Sequence, residues 1–456
     1  MIKEIYESKR EVFDEGITLP YRFRLDSLKR LKSSIKNREE EIIQALKLDL
    51  NKQEFEAYTN EIGIVYEEID LAIKNLKPWM SEIDVPTPIY LQPAKSFIKR
   101  EPKGVVLIIS PWNYPFQLTF SPLIGAIAAG NCIIIKTSSK SKHTKTLMQS
   151  IIDDCFPKNY IEFVDIENEE INNLIEEYPL DHIFFTGSVK VGTSIYKRAA
   201  TNLTPVTLEL GGKSPVIVHE DANINDAAKS ITWAKFLNLG QTCIAPDYLL
   251  IHETIAEKFI LRMVHHIKKF YGNDEARFEN LGKIIDEGSF DRVVELLNYG
   301  NIVEGGNYNR EKLFIEPTII RDVNMEDKIM KEEIFGPLLP VIVYRDIEEC
   351  LAIIRRNRYP LALYMFTKDK AIEEFLLDRI EFGGGCINST ISHVANSNLP
   401  FGGVGTSGIG KYHSKYTFFE FTNEKSIYKS TISLGEGIKY PPYSSKKLEL
   451  VRKVMK

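Results

Sequence analysis

The cysteines are the side chains of this sequence best suited to covalent chemistry. There are five of them: Cys132, Cys155, Cys243, Cys350 and Cys386. A thiolate is nucleophilic near neutral pH and can attack an electrophilic carbon. An odd number scattered over 456 residues does not suggest a disulfide framework, and no pair has the C-x-x-C spacing of a zinc site or a redox pair. Composition alone therefore predicts five reduced thiols, most of them packed in the core, and no metal site.

Six short segments combine glycines and prolines with side chains that could do chemistry. They are Pro111-Trp112-Asn113-Tyr114-Pro115, Phe185-Thr186-Gly187-Ser188, Glu209-Leu210-Gly211-Gly212-Lys213-Ser214-Pro215, Gly240-Gln241-Thr242-Cys243, Glu333-Ile334-Phe335-Gly336-Pro337 and Leu399-Pro400-Phe401-Gly402-Gly403-Val404-Gly405. In this order and with these spacings, they resemble the aldehyde dehydrogenase superfamily over nearly the whole chain. The run Lys411-Tyr412-His413 and the tail Tyr440-Pro441-Pro442 resemble its class 3 branch, which includes fatty and aromatic aldehyde dehydrogenases.

The resemblance implies a nucleophile, a general base and an oxyanion donor. It identifies Cys243 as the nucleophile, because a hydride leaves an aldehyde carbon only after that carbon has become tetrahedral. Glu209, 34 positions earlier, matches the base that activates water to cleave the thioester intermediate. Asn113 matches the donor that holds the oxyanion together with the backbone N–H of Cys243, which lowers the barrier by about 3 to 4 kcal/mol. The presence of Glu209 favours hydrolysis to a free acid over transfer to coenzyme A.

The resemblance also implies a site for NAD or NADP, although no G-x-G-x-x-G follows the first predicted strand. The corresponding segment is Gly187-Ser188-Val189-Lys190-Val191-Gly192, which precedes a predicted helix. The N-terminus of a helix can hold a pyrophosphate through its free N–H groups and its dipole. Lys136 is expected to reach the adenosine ribose. Glu333 is expected to hold the nicotinamide ribose, with Phe335 beside the ring.

One departure from the family pattern bears on the choice between the two cofactors. The family commonly has Lys-Pro-Ser-Glu, where this sequence has Lys136-Thr137-Ser138-Ser139. A glutamate at the last position would accept hydrogen bonds from the ribose 2′-hydroxyl and repel a 2′-phosphate, whereas Ser139 does not repel it. Lys140 and Lys142 add positive charge nearby. We therefore expect NADP to be accepted, and local geometry to decide whether it is preferred over NAD.

The substrate channel is less sharply marked in the sequence. Its candidate walls are Tyr114, Trp233, Phe236, Ile391 and His393, although aromatic residues at such spacings also occur in protein cores. These side chains favour a hydrophobic aldehyde, aliphatic or aromatic, over a charged semialdehyde. The glycine-flanked Cys386 is expected either near the site or in a structural position.

Helices and strands must bring these distant segments together. Residues 22–85 have apolar positions three and four apart, which is typical of helices. From residue 105 onward, short apolar runs alternate with helical stretches, which predicts doubly wound parallel sheets. The predicted strands are 105–109, 132–135, 161–164, 182–185, 216–218, 248–251, 339–344 and 363–366, and the predicted later helices are 225–237, 255–270 and 347–355.

The predicted fold class is α/β, with two doubly wound domains and a small β hairpin for oligomerisation, as in the aldehyde dehydrogenase fold. Residues 1–85 and 104–206 are assigned to a Rossmann-like dinucleotide-binding domain and residues 207–395 to a catalytic domain. Residues 86–103 and 415–430 are assigned to the oligomerisation hairpin and strand, and residues 431–456 to a tail. The resemblance implies a homodimer built by that hairpin and strand, with a tetramer left open.

Charge and hydropathy narrow the possible partners and location. The formal net charge of -5 argues against nucleic acid as the main partner. No apolar run reaches the roughly 18 to 20 residues of a membrane span. The N-terminus has no apolar signal-peptide region, so the expected location is the cytoplasm. The basic, partly apolar tail could lie on an anionic membrane, but a solvated or subunit-packed terminus is the favoured interpretation.

Two other functions remain open. A cysteine-dependent thioesterase or esterase could use Cys243 and Glu209 without redox chemistry, but it would not need the cofactor residues Lys136, Ser188 and Glu333. A non-catalytic relative is expected to have lost at least one of the three catalytic residues, and all are present.

Overall fold

The computed structural model describes residues 2–272, 275–430 and 440–455 of the protein. In chain order its strands are β1 Ile83–Val85, β2 Ala94–Pro102, β3 Val105–Ser110, β4 Cys132–Thr137, β5 Ile161–Phe163, β6 His182–Gly187, β7 Val206–Leu210, β8 Pro215–Val218, β9 Tyr248–His252, β10 Asn301–Glu304, β11 Tyr308–Asn309, β12 Phe314–Ile315, β13 Thr318–Arg321, β14 Leu338–Tyr344, β15 Ala362–Phe366, β16 Gly384–Ile387, β17 Gly408–Ile409 and β18 Thr422–Ser430.

The α-helices alternate with these strands after a helical N-terminal region. They are α1 Ile2–Asp14, α2 Tyr21–Asn37, α3 Glu39–Leu50, α4 Glu54–Ala57, α5 Gly63–Met80, α6 Gln117–Ala129, α7 Lys142–Cys155, α8 Asn168–Glu177, α9 Val189–Ala199, α10 Ile224–Phe236, α11 Ala256–Tyr271, α12 Glu275–Asn280, α13 Glu287–Glu295, α14 Lys328–Lys331, α15 Ile347–Arg356, α16 Lys370–Arg379, α17 Lys415–Glu420 and α18 Ser445–Val454. A π-helical turn, Tyr58–Ile62, joins α4 to α5.

The first large sheet has the strand order β17-β7-β6-β3-β4-β5. Its strands β3 to β7 are mutually parallel, and β17 pairs antiparallel with β7 at one edge. The central strands are apolar and buried, because helices cover both faces of such a sheet. Chain order reverses between β3 and β6, so the carboxyl ends of these two strands diverge to leave a crevice. Ligands of doubly wound sheets bind at such a switch point.

The second large sheet has the order β10-β13-β14-β9-β8-β15-β16, with β10 antiparallel to its neighbour and the other pairings parallel. The loops that enter β8, β9 and β14 carry Gly211, Cys243 and Glu333. These residues line one cavity together with residues that follow β3 and β6. The carboxyl edge of the first sheet therefore faces the amino edge of the second. The predicted α/β fold with two parallel sheets is confirmed.

A third, three-stranded sheet has the order β1-β2-β18. Its strand β18 pairs along its full length with β2, so a hairpin near residue 90 and the last strand meet as predicted. One detail of the prediction is wrong, because residues 415–420 form the helix α17 rather than part of the strand. Within the hairpin segment, residues 89–91 form a 3₁₀ turn.

The predicted boundary between the two large domains also needs correction. The strand β7 pairs in parallel with β6 and belongs to the first sheet, so a boundary at residue 207 falls inside that sheet. An apolar run alone does not show which of two consecutive sheets a strand joins. The first sheet also recruits β17 from the far end of the chain, which no local pattern could indicate.

The C-terminal tail was predicted to span residues 431–456, of which residues 431–439 and 456 lie outside the described residues. The helix α18 buries none of its side chains and exposes Leu448, Leu450 and Val454. Within the described part of the chain, the structure has no helix long and apolar enough to cross a membrane.

Candidate active site

A cavity of about 420 Å³ lies where the two large sheets face each other. Cys243, Glu209 and Asn113 all line it, and so do the side chains expected to hold a cofactor, Ser188, Glu333 and Phe335. These residues come from separate loops and strands. The structure therefore brings together the three side chains to which the sequence assigned catalysis.

Two loops are joined at the floor of this cavity. The side-chain Nδ2 of Asn113 donates a hydrogen bond to the backbone oxygen of Gln241 at 3.1 Å. The hydroxyl of Tyr114 lies 2.7 Å from the Thr242 hydroxyl. An amide nitrogen carries two N–H groups, so the bond to Gln241 leaves one N–H of Asn113 for a ligand. The neighbouring loop positions the nucleophile Cys243 directly after these two contacts.

The buried side-chain amides of Asn238 and Gln241 hold the loop that carries Cys243 in its conformation. Asn238 has a left-handed backbone with φ of 49°, and its Nδ2 donates to the backbone oxygens of Asn113 and Gln241. The Gln241 side chain is held in turn by the backbone of Asn238, Lys283 and Ile285. Asparagine tolerates this backbone region better than most residues, because its short polar side chain bonds locally.

A fully buried ion pair lies beneath the Asn113 loop. Lys52 bonds to Glu61 with both side chains shielded from solvent. Lys52 also donates to the backbone oxygen of Asn113 at 2.9 Å and lies 3.9 Å from the ring centre of Tyr114. Glu61 accepts the backbone N–H groups that begin α6, at 2.8 and 3.0 Å. The pair thus fixes the strand-to-helix turn that carries the oxyanion donor.

The thiol of Cys243 is protonated at neutral pH in this cavity. Burial raises its pKa to about 12, and the carboxylates of Glu333 and Glu209 add to the effect. The two acids disfavour a thiolate because like charges repel across a region that water does not screen. Nucleophilic attack therefore requires a group that accepts the proton.

Glu209 is placed to accept protons. Its side chain is 3% exposed, and neither carboxylate oxygen has a hydrogen-bond partner. Burial raises its pKa well above 4.5, Lys411 opposes the shift and Glu420 adds to it. A buried carboxylate with both oxygens unpaired is costly unless a ligand or water uses it. These features fit a general base.

The cofactor end of the cavity lies at the switch point of the first sheet. Gly187 and Ser188 line it where α9 begins, and the first N–H groups of a helix have no partner within that helix. The hydroxyl of Thr186, also on the wall, is buried without a hydrogen-bond partner. Burial and Asp247 raise the pKa of Glu333 to about 8. A helix N-terminus, an unused hydroxyl and a nearby buried acid together fit a dinucleotide.

The remaining cofactor residues lie outside the wall of this cavity. Lys136 is half-buried at the end of β4 and donates to Asn168 at 2.6 Å. Ser139 is exposed two residues beyond that strand, and Gly192 is buried in the first turn of α9. Lys140 lies 2.6 Å from the Asp286 carboxylate, so part of the positive charge expected near Ser139 is neutralised.

The lining of the cavity includes a group of apolar and aromatic side chains, with Tyr114 near the loop that carries Cys243. They are Ile64, Leu118, Leu237, Ile244, Ile391, Val394, Phe401 and Tyr412, and the polar Asn60 and Gln117 also line the cavity. A second cavity of about 290 Å³ shares Asn60, Ile64, Ile391 and Val394 with the first. The two cavities therefore adjoin along this shared wall.

Three predicted channel residues do not line the cavity that holds Cys243. Trp233 lines the second cavity and is 42% exposed, because it does not belong to the face of α10 that packs in the core. Phe236, the last residue of α10, is fully buried in the core. His393 lies behind Phe401 and is 3.5 Å from the Cys386 sulfur. Of the predicted channel residues, Tyr114 and Ile391 line it.

Sequence reasoning missed several residues that shape the site. Lys52, Glu61 and Asn238 carry no motif of their own, and buried charges cannot be told from surface charges in a helical stretch. Phe401 and Tyr412 were inside quoted segments but were given no role. Both are aromatic residues close to glycines, and this pattern could have indicated that they line the cavity.

Comparisons with known proteins agree with this geometry. A model of the aldehyde dehydrogenase family matches residues 1–427. The chain is 46% identical over 447 residues to 4,4'-diaponeurosporen-aldehyde dehydrogenase of Staphylococcus aureus, covering 97% of both chains. It is 39% identical over 444 residues to mouse aldehyde dehydrogenase family 3 member B1, covering 97% of this chain and 95% of the relative. It is 38% identical over 447 residues to the mouse aldehyde dehydrogenase described as dimeric and NADP-preferring, covering 98% of both.

A solved structure has the same fold. The substrate-bound state of Staphylococcus aureus AldH superimposes with a TM-score of 0.97, at 44% sequence identity and with all of both chains covered. The family, inferred from the six segments, and its class 3 branch, inferred from Lys411-Tyr412-His413 and the tail Tyr440-Pro441-Pro442, are confirmed.

The electrostatics of the thiol predict how Cys243 reacts in the cofactor-free protein. We expect iodoacetamide to alkylate it slowly near pH 7 and about tenfold faster for each unit of pH up to about pH 10, because only the thiolate reacts. Glu333→Gln should accelerate the reaction above about pH 8, where the Glu333 carboxylate is ionised and raises the pKa of Cys243. The matched control is Glu332→Gln, since Glu332 pairs with Arg292. Mass spectrometry of the labelled peptide gives the rate. A rate independent of pH would contradict the protonated thiol.

Proposed function

The chain belongs to the aldehyde dehydrogenase family, and from that premise we propose how its own residues oxidise an aldehyde to a carboxylic acid. One observation carries the proposal: Cys243, Glu209 and Asn113, from three separate parts of the chain, line a single cavity. The thiol and a carboxylate without hydrogen-bond partners thus share one space with an amide N–H that can donate to an oxygen.

The first half of the reaction forms a bond between Cys243 and the aldehyde carbon. Glu209 takes the thiol proton, the sulfur attacks, and the carbonyl electron pair moves to the aldehyde oxygen. The free N–H of Asn113 donates to that oxyanion, which is worth about 3 to 4 kcal/mol of barrier. When bound, the nicotinamide dinucleotide accepts the hydride with its electron pair, which leaves a thioester on Cys243.

The second half of the reaction cleaves the thioester with water. Glu209 first loses the thiol proton, and its carboxylate then takes one proton from water as the oxygen attacks the thioester carbon. The carbon–sulfur bond breaks, its electron pair returns to Cys243, the sulfur takes the proton back from Glu209, and the carboxylic acid leaves. The position of Glu209 on the same wall as the thiol supports this role, because a base must lie within hydrogen-bond reach of the water it activates.

NAD and NADP are the proposed cofactors. The start of α9 would hold the pyrophosphate, Lys136 the adenosine ribose and Glu333 the nicotinamide ribose. The absence of an acid at Ser139 removes a group that would repel a 2′-phosphate. The name of the NADP-preferring mouse relative supports acceptance of NADP. The Lys140–Asp286 ion pair lessens the charge attraction for a 2′-phosphate.

The proposed substrate is a hydrophobic aldehyde, aliphatic or aromatic. Apolar and aromatic side chains form much of the cavity lining, and the single cation among the described lining residues, Arg292, is held by Glu332 and by backbone oxygens. The adjoining second cavity, which Trp233 lines, would receive the far end of a long chain. The Staphylococcus relative is named for a 4,4'-diaponeurosporen-aldehyde.

A homodimer is the proposed assembly. The three-stranded sheet presents a long outer strand, β18, whose second edge has no neighbour among the described strands. Such an edge pairs readily with another chain. The mouse relative named as dimeric supports the proposal.

Turnover with a long-chain aldehyde tests the proposed function. We expect reduced nicotinamide to form with a long aliphatic aldehyde and much less with a charged semialdehyde, because the cavity has no free cation to pair with a carboxylate. Cys243→Ala should abolish reduction. The measurement is the absorbance of the reduced cofactor. Hydrolysis of a thioester or ester without any cofactor reduction would support the alternative, a cysteine-dependent hydrolase.

Ser139 should control the choice of cofactor. Ser139→Glu is expected to lower kcat/KM for NADP relative to NAD by about 5- to 150-fold, which corresponds to about 1 to 3 kcal/mol for one charged hydrogen-bonding group. Ser139→Gln is the matched control, because it has the same length without the charge. Equal kcat/KM ratios in both variants would show that Ser139 does not face the 2′ position.

Removing the base should impair both halves of the reaction. Glu209→Gln is expected to slow the release of the first reduced cofactor, because no carboxylate takes the thiol proton, and to slow steady turnover by about 100-fold or more. In the native protein, turnover should fall as pH drops through the raised pKa of Glu209, because only the carboxylate accepts a proton. That acidic limb should disappear in Glu209→Gln. The exposed Glu311→Gln serves as control. Unchanged steady turnover in Glu209→Gln would rule out the base.

A further inference from the structure

A continuous hydrogen-bonded chain lies behind the general base. The Lys103 ammonium is 3.0 Å from Nδ1 of His182. Nε2 of His182 is 2.9 Å from the hydroxyl of Thr207, which is 2.7 Å from a carboxylate oxygen of Glu420. These four groups come from the turn after β2, from β6, from β7 and from the end of α17. None of them lines the cavity.

The interior of this chain is closed to solvent, and its outer end is not. Thr207 is 0% exposed and His182 is 1% exposed. Lys103 is half-buried. Burying polar groups is costly unless each has a partner, and every link here is satisfied. The chain therefore connects a dry interior to a lysine that reaches solvent.

The inner end of the chain lies close to Glu209. Thr207 and Glu209 are two residues apart on β7, so their side chains emerge on the same face of the sheet. Two glycines separate Glu209 from Glu420. A Cβ on Gly402 would lie 2.8 Å from Oε1 of Glu209 and 2.5 Å from the backbone oxygen of Gly410. A Cβ on Gly410 would lie 3.1 Å from Oε1 of Glu420.

Neither glycine could therefore carry a side chain without displacing one of the carboxylates. Neither oxygen of Glu209 has a hydrogen-bond partner, so a rotation of its side chain or an intervening water molecule is required to link it to Glu420. This is the step on which proton passage from Glu209 to Glu420 depends.

Each turnover requires a proton to leave this interior. If Glu209 acts as base, it holds the thiol proton after the first half of the reaction and must lose it before it can take a proton from water, while the acyl group and the cofactor fill the cavity in front of it. We propose that Glu420, Thr207, His182 and Lys103 form a proton relay that carries this proton from Glu209 to the protein surface. The proposal rests on the role of Glu209 in the proposed function.

The relay balances when each group passes one proton onward. Glu420, protonated by Glu209, gives its proton to the Thr207 oxygen as that hydroxyl gives its own to Nε2 of His182. The Lys103 ammonium first releases a proton to solvent, and His182 then passes the proton of Nδ1 to the resulting amine. At the end Lys103 is an ammonium, His182 carries its proton on Nε2 and Glu420 is a carboxylate again. Return of the His182 proton from Nε2 to Nδ1 resets the chain.

The charges that face these groups allow the sequence of transfers. Burial, with Lys103 nearby, holds the pKa of His182 well below 6.5, so the ring is neutral and can exchange its tautomers. Burial lowers the pKa of Lys103, and Glu420 opposes that shift. The other charged groups facing Glu420 are Glu209 and Lys411, whose backbone N–H bonds to Glu420 at 3.0 Å.

The experiment breaks the relay at its hydroxyl. Thr207→Val keeps the shape of the side chain and removes the proton-carrying oxygen, whereas Thr207→Ser keeps that oxygen. The matched control is Thr232→Val, which removes a buried hydroxyl on α10. Glu420→Gln is the second variant, because its amide can still accept from Lys411 but cannot carry the proton. Reduced cofactor is measured in the first turnover and at steady state, in H₂O and in D₂O.

We expect Thr207→Val and Glu420→Gln to keep the first turnover and to lower steady turnover by about tenfold, with a larger solvent isotope effect. Thr207→Ser should restore both values, and Thr232→Val should change neither. Steady turnover and isotope effect equal to the native values in both folded variants would overturn the relay and identify the chain as a purely structural connection. Full steady turnover in Glu209→Gln would instead sink the proposed function itself.

Discussion

The active site depends on the hydrogen bonds between the Asn113 loop and the Gln241–Cys243 loop. One loop leaves the first sheet and the other enters the second, so the bonds from Asn113 to Gln241 and from Tyr114 to Thr242 fix the distance between the sheets at the reacting atoms. The buried ion pair of Lys52 and Glu61 holds the Asn113 loop in the position that these hydrogen bonds require. Buried ion pairs add little net stability, but removal of one partner is costly, so such a pair defines position more than it adds strength.

The same closure sets the electrostatics of the reaction. The cavity walls partly shield Cys243, Glu209 and Glu333 from solvent, and burial raises the pKa of each of these three acids. All three favour their neutral forms, so the resting cavity carries less charge than its composition suggests. A bound positive charge would shift each of them toward ionisation. Burial therefore keeps these groups protonated in the empty cavity, and the same burial makes their pKa values sensitive to the charge of a bound ligand.

Much of this architecture could be predicted from local sequence patterns. The apolar runs at β3, β4 and β6 predicted buried parallel strands, because both faces of such strands are covered. The family segments identified the residues that line the cavity, since glycines and short polar side chains crowd the strand ends. Partnerships across hundreds of residues could not be predicted. The membership of β7 in the first sheet, the role of Glu61 and the outward position of Trp233 depend on tertiary packing, which leaves no local periodicity.

The edge strand β17 gives the protein a constraint on its synthesis. It completes the first sheet by pairing with β7, although about 200 residues separate the two in the chain. Phe401 and Tyr412 in the cavity wall flank that strand. While the ribosome is still making the second domain, the first sheet has an open edge and an unfinished cavity. A nascent chain that stops before residue 408 is therefore exposed to edge-to-edge association and has no closed active site. Synthesis of about the last tenth of the chain therefore supplies β17, which covers the open edge of the first sheet and completes the cavity wall.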